Sequence, residues 1–281
     1  MDLCDVEQLR RLLARHGFHF SKSMGQNFLV EPWAPRDIAA ACGAGKENAV
    51  LEIGPGVGTL TRELAARAGK VVAVELDRAL LPVLGETVGE YSNVEVVPGD
   101  VMKLDLERLI EERFAGLAPI VCANLPYNIT TPVITKLLES GFFKSVTVMI
   151  QREVAKRICA QPGSGDYGAF SLFCQYHACC EYRFEVGPEC FLPPPKVTSA
   201  VVTLTPRPKP EEVEDEAAFF LVVRAAFAQR RKTLLNCLGS AYGDRHSKEE
   251  LRRIILDCGL PEDIRGERLG IPEFAALAKK L

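Results

Sequence analysis

Ala49-Val50-Leu51-Glu52-Ile53 runs straight into Gly54-Pro55-Gly56-Val57-Gly58, and from there into a helical stretch from about Thr59 to Ala68. A short strand that turns through glycines into a helix is the opening half of a βαβ unit. Such units build parallel sheets with helices on both faces. The glycines permit a tight turn and let a ligand lie against bare backbone. No Gly-Lys-Ser/Thr follows, so the turn is not a phosphate loop. Its Gly-x-Gly-x-Gly spacing also departs from the dinucleotide fingerprint Gly-x-Gly-x-x-Gly, which weakens a nicotinamide reading without excluding it.

The same grammar recurs down the chain. Lys70 to Val74 reads as a second strand that ends in Glu75, where a carboxylate can accept from both hydroxyls of a ribose or serve as a plain strand-end charge. Val94 to Val97 is a third, followed by Pro98-Gly99-Asp100-Val101. Asp100 is placed to accept from an adenine amino group, with a turn aspartate as the alternative. Ile120 to Ala123 is a fourth and delivers Asn124-Leu125-Pro126-Tyr127. The asparagine offers an amide carbonyl, the proline delays the next helix and keeps carbonyls available, and the tyrosine adds a flat face. That set suits a planar base with an exocyclic amine, although Asn-x-Pro-aromatic is equally a reasonable turn. The four polar features fall at the carboxyl ends of successive strands, the edge at which parallel α/β sheets bind ligands.

The flanking segments add a framework. Val6 to His16 has helical spacing and stops at Gly17. Ser21 to Leu29 has neither period, and in it Gln26 and Asn27 can bond a polar ligand while Phe28 and Leu29 anchor the loop. Ser145 to Ile150 is a fifth strand and Gln151 to Ile158 opens a helix. Pro162 to Gly168 reads as a mobile loop beside a substrate cleft. Strands near Tyr182 to Val186 and Ala200 to Thr205 flank Phe191 and the stiff, exposed Pro193-Pro194-Pro195. Pro206 to Glu216 reads as a stiff acidic linker, and the remainder is helical, with a capping box at Ser247 and Glu250.

Composition narrows the function. A chain of 281 residues with 47% hydrophobic residues holds one large domain plus a small one, or a single large α/β domain. No apolar run approaches the roughly 20 residues that span a bilayer. Asp2, Asp5 and Glu7 stand where a leader would be basic, so a cytoplasmic protein is expected. Ten cysteines form no CxxC pair and the four histidines no zinc pattern, which points to reduced core thiols and no metal. The net charge of −3 is unevenly spread: residues 217–281 carry +4 and the rest −7. Arg230-Arg231-Lys232 within Arg224 to Asn236 suits phosphate contact, or simply a solvated helical face.

Gly25-Gln26-Asn27-Phe28-Leu29, Leu51 to Thr61, Glu75-Leu76-Asp77, Gly99-Asp100, Asn124 to Tyr127 and Gln151-Arg152-Glu153-Val154-Ala155 together resemble the ribosomal RNA adenine dimethyltransferases over nearly the whole chain. The nearest is the KsgA type, which modifies two neighbouring adenines near the 3′ end of small-subunit ribosomal RNA. The resemblance implies a Rossmann-like α/β class I methyltransferase fold with a seven-stranded, mostly parallel sheet. It places a catalytic domain at 1–205, a linker at 206–216 and an all-α domain at 217–281.

The donor implied is S-adenosylmethionine, with S-adenosylhomocysteine as product. Gln26, Asn27, Leu29, Gly54, Gly56, Glu75, Leu76, Asp100, Val101 and Asn124 would hold it. Asn124, Leu125, Pro126 and Tyr127 would hold the target base, with Phe191 packing on it opposite Tyr127. Lys22, Arg152, Lys196, Arg224, Arg230, Arg231 and Lys232 would meet RNA phosphates. The partner implied is 16S rRNA in an immature small subunit, bound by a monomer without a membrane. Leu235 departs from the pattern, standing where some relatives place another base. The rivals are a ribosome-assembly factor that acts by binding, a large-subunit or DNA adenine methyltransferase, and a nicotinamide dehydrogenase. The linker and the Gln229 to Thr233 signature favour the small-subunit type.

Overall fold

The computed structural model describes residues 1–21, 24–229 and 231–281, so Lys22 and Arg230 lie outside the described residues. The chain divides into two compact units, Met1–Ala155 with Cys179–Pro206, and Lys156–Ala178 with Arg207–Leu281.

Nine strands are described: β1 (Phe28–Leu29), β2 (Asn48–Ile53), β3 (Lys70–Glu75), β4 (Val94–Pro98), β5 (Ala118–Asn124), β6 (Val146–Gln151), β7 (Ala178–Val186), β8 (Phe191–Leu192) and β9 (Ser199–Pro206). Seven form one sheet in the order β4-β3-β2-β5-β6-β9-β7. The β4, β3, β2, β5 and β6 neighbours pair in parallel, and β9 runs antiparallel to β6. β2 and β3 are buried almost throughout, as strands covered on both faces must be. From β2 the chain steps outward through β3 to β4, then returns to place β5 on the other side of β2. Strand order therefore reverses between β2 and β5, and a crevice opens at their carboxyl ends. The glycine turn and Asn124 are adjacent for that reason.

The helix Thr59–Arg67 starts from Gly58, whose φ is +89°; a Cβ there would stand 2.7 Å from Val88 Cγ1. Neither the backbone angle nor the space admits a side chain without a shift. Leu60 and Leu64 of this helix, with Ile38 and Ala39 of Trp33–Cys42, cover Val50, Val71, Cys122 and Met149 of the sheet. The sequence reading did not foresee the two-residue ladder β1–β8, in which Phe28 faces Leu192 and Leu29 faces Phe191. Two residues are too short to show a period.

The second unit corrects the expected domain limits. Its core joins Phe219 and Val223 of Glu216–Phe227, Leu234 and Leu238 of Leu234–Tyr242, Leu251 and Ile255 of Lys248–Asp257, and Phe274 of Ile271–Ala278 to Tyr167, Leu172 and Tyr176. Residues 156–178, expected in the first domain, belong here. The stretch read as a mobile loop is tied down. Gly163 N donates to the Glu267 carbonyl at 2.7 Å, and the buried Tyr167 donates its hydroxyl to the Leu269 carbonyl at 2.9 Å. The expected linker is also built in, because Val213 is buried in the same core and Asp215 caps Glu216–Phe227 by accepting from Ala218 N. Glycine, serine and proline signalled a turn correctly, but not that one aromatic would anchor it. The capping box at Ser247 and Glu250 is present.

Candidate active site

One cavity in the first unit opens at the carboxyl ends of the strands. Its lining includes Gln26, Asn27 and Leu29, then Gly54 and Gly56 after β2, Glu75 and Leu76 after β3, Asp100 and Val101 after β4, and Asn124, Leu125, Pro126 and Tyr127 after β5. Residues that lie a hundred positions apart in the chain thus share one wall.

Glu75 is the anchor of this wall. Its carboxylate is 6% exposed and accepts from Gly56 N at 3.2 Å and from Asp77 N at 2.8 Å. Burial pushes its carboxyl above the usual range, partly offset by those backbone donors. Gly56 is needed on space as well as angle, since a Cβ would come 3.0 Å from the Phe28 ring. Asp77 carries the link onward by accepting from Gln26 Nε2 at 2.7 Å, and Gln26 Oε1 accepts from Ser21 N at 3.0 Å. The irregular N-terminal segment is therefore strapped to the end of β3. Asp100 accepts from Met102 N at 3.0 Å and stands 3.8 Å from Lys103 Nζ. Leu76 is 55% exposed, at the rim.

The Asn124 side chain donates to the Asn27 carbonyl at 3.3 Å, while Asn27 donates to the Gly25 carbonyl at 3.0 Å. Spending the Nδ2 end on the protein leaves Oδ1 as the acceptor end of the amide. The Pro126 carbonyl accepts from Ile129 N at 3.2 Å and from the Thr130 hydroxyl at 3.3 Å, so the start of the next helix takes it up. Tyr127 shares a 2.7 Å hydroxyl hydrogen bond with Ser199 of β9, a residue with no exposed surface, and burial raises the phenol.

Phe191 is not brought to this cavity. It is 4% exposed and packs with Leu29, Cys190 and Met149, because pairing of β8 with β1 turns it into that cluster. Of the residues expected to meet phosphate, Lys196, Arg224, Arg231 and Lys232 are exposed, and Arg152 is 3.4 Å from Glu185.

One lining residue escaped the sequence reading. Glu52 is 1% exposed, and burial pushes its carboxyl up to about 8, offset in part by the Thr61 hydroxyl and reinforced by Glu75. The signal was present as a glutamate in an otherwise apolar strand, directly before the glycine turn. Among the described residues no group of three or more His, Cys, Asp or Glu could hold a metal ion, and no helix is long and apolar enough to cross a membrane.

Comparisons with known proteins complete the picture. The family model described as ribosomal RNA adenine dimethylase matches residues 17–259. A protein called ribosomal RNA small subunit methyltransferase A from Geobacillus thermodenitrificans is 45% identical over 284 aligned residues, covering 100% of this chain and 97% of the relative. Its namesake from Alkaliphilus oremlandii is 45% identical over 278, covering 98% and 96%. A dimethyladenosine transferase from Plasmodium falciparum matches with a TM-score of 0.72 at 25% identity, over 89% of this chain and 95% of that one. The 23S rRNA methyltransferase ErmE matches with 0.69 at 25% identity, over 91% and 99%.

Proposed function

The chain belongs to the ribosomal RNA adenine dimethylase family and is an rRNA adenine dimethyltransferase; from that premise we propose that it uses S-adenosylmethionine to dimethylate N6 of two adjacent adenines in the 3′-terminal hairpin of 16S rRNA, within an immature small subunit. The observation that carries the reading is the convergence of Glu75, Asp100 and Asn124 on one cavity beside the glycine turn. The cavity fits the donor: carboxylates for ribose and adenine, bare backbone at Gly54 and Gly56, and the buried Glu52 carboxyl in its lining. When bound, the donor supplies a methyl group activated by its sulfonium.

The chain's own part is alignment and electrostatics. Glu75 accepts from the ribose hydroxyls, Asp100 from the donor's adenine amine, and Gln26, Asn27, Leu29, Leu76 and Val101 close the site around them. Asn124 Oδ1 and the Leu125 carbonyl accept from the target amine. The ring withdraws the N6 lone pair, so drawing both N–H bonds out of plane restores nucleophilicity and stabilises the positive charge that builds on nitrogen. The occupied Pro126 carbonyl leaves Leu125 as the backbone acceptor of that pair. Tyr127 offers its face to the base. Phe191, set beside the cavity-lining Leu29 by the pairing of β8 with β1, is the second ring proposed to close on the base opposite Tyr127. The exposed Lys196, Arg224, Arg231 and Lys232, with Lys22, Arg152 and Arg230, meet phosphate.

The direct test is incubation with labelled donor and unmethylated small subunits, followed by mapping of the modified nucleotides. Label at N6 of two neighbouring adenines supports the assignment, and label elsewhere refutes it. Ser199→Ala is expected to lower kcat/KM for RNA about tenfold by releasing the Tyr127 ring, with about 1 kcal/mol lost in stability. In a Tyr127→Phe background the same change should cost almost nothing, which a double-mutant cycle reads directly. Arg231→Ala and Lys232→Ala should each reduce the slope of log affinity against log salt by about 1, with kcat unchanged at saturating RNA.

A further inference from the structure

Lys136 stands on the helix Thr130–Ser140, beside its buried stripe of Val133, Ile134, Leu137 and Leu138, and its side chain crosses to the turn after β4. There Nζ donates to the Met102 carbonyl at 3.0 Å and to the Leu104 carbonyl at 2.6 Å. Among the described residues no carboxylate pairs with it, so a half-buried ammonium is spent on two main-chain oxygens of one turn. Hydrogen bonds from a charged donor are about twice as strong as neutral ones, and three donors on a long arm suit two carbonyls of a neighbouring element.

The turn so held is built around Asp100. The Asp100 carbonyl accepts from Lys103 N at 2.9 Å and from Leu104 N at 3.1 Å, and its Oδ1 accepts from Met102 N at 3.0 Å. Both ends of the segment are tied elsewhere: Gly99 N donates to the Glu75 carbonyl at 2.9 Å, and Asp105 caps the helix Leu106–Arg113. Among the described residues, the hydrogen bonds that reach Met102 and Leu104 from another element are those of Lys136. Met102 is the shared part. Its carbonyl takes the Lys136 ammonium and its N–H holds one carboxylate oxygen of Asp100, leaving Oδ2 to accept from a ligand.

We propose that Lys136 is a positioning residue for donor recognition: by clamping the Met102 and Leu104 carbonyls it fixes the Asp100 carboxylate where it accepts from the adenine amine of the donor. The proposal rests on the assignment of Asp100 to that amine and deepens it. Asp100 lines the cavity and Lys136 does not, so the lysine acts through the turn. Its removal lets the turn relax, and the cost falls on ligands that carry the amine.

Equilibrium titration with S-adenosylhomocysteine and with its deamino analogue, in which purine replaces adenine, isolates the amine contact. The wild type is expected to bind the first about tenfold more tightly. Lys136→Met should weaken S-adenosylhomocysteine about fivefold and the deamino analogue hardly at all, so the preference falls to about two. Lys136→Arg, with donors enough for both carbonyls, should restore most of it. In an Asp100→Ala background, Lys136→Met should change the affinity for S-adenosylhomocysteine by less than about twofold. If Lys136→Met does not fold, the shorter and uncharged Lys136→Gln takes its place, with the same fall in preference expected. Equal weakening of both ligands, which a merely structural lysine produces, overturns the proposal, as does a preference that stays at the wild-type value. A wild type without preference for the amine overturns the Asp100 assignment and this proposal together. Absence of binding by either ligand overturns the donor assignment as well, and both results are distinct from a failure of Lys136 alone.

Discussion

An Asn124→Ala protein is expected to lose about a thousandfold in kcat while binding the donor within a few-fold of the wild type. Removing one preorganised group aimed at developing charge typically costs about 10² to 10³ in rate. The loss is expected at the upper end, because Asn124 is one of the two acceptors proposed for the target amine and the Pro126 carbonyl is already engaged by Ile129 and Thr130. The proposed donor contacts of Glu75 and Asp100 are untouched by the substitution, so donor affinity has little reason to fall. Asn124→Ala also breaks the 3.3 Å hydrogen bond to the Asn27 carbonyl, which ties the N-terminal segment to the end of β5. Some loosening of donor binding follows from that, though far less than the rate effect. Single-turnover methylation with saturating donor and RNA measures the first quantity, and equilibrium titration of the donor the second. A variant that retains full activity would falsify the role given to Asn124.

The second large effect concerns stability in the absence of ligand. Glu52 has its carboxyl raised from 4.5 to about 8 in the folded protein, chiefly by burial. The native state therefore holds a proton that the unfolded chain gives up. The contribution of this proton is fully present below about pH 4.5 and is lost as pH rises through about 8. That span corresponds to at most about 5 kcal/mol. Glu52→Gln cannot ionise, so the variant should gain on the wild type steadily over this window. By about pH 8.5 the variant should be the more stable protein. Denaturant midpoints of both proteins at several pH values give the gap. Glu75 is raised for the same reason and is present in both proteins. A gap that does not change with pH would show that the native carboxyl is hydrated.

Much of the site could be read from the chain because strand, turn and polar residue are local patterns. β2, β3, β4 and β5 end where alternating and continuous apolar runs said they would, with Glu75 and Asn124 as last strand residues and Asp100 just beyond β4. Phe191 shows the limit. An aromatic beside a triple proline is compatible with an exposed stacking ring, and only its pairing with Leu29 shows that the side chain is turned inward. Tyr167 shows the converse, since a loop rich in glycine carried a buried aromatic that ties residues 156–178 into the second unit. Neither outcome has a local signature.

The sequence by itself determined that this chain builds a parallel α/β sheet and that Glu75, Asp100 and Asn124 lie at its ligand-binding edge. Periodicity and turn chemistry act over a few residues and are written in order along the chain. Only the tertiary structure decided that Asn124 is oriented by the Asn27 carbonyl, that Tyr127 is held by Ser199, and that Glu52 is buried. Those facts depend on which carbonyl, hydroxyl or carboxyl another part of the chain brings within 3 or so Å, and on how much water it expels. No spacing along the chain encodes either.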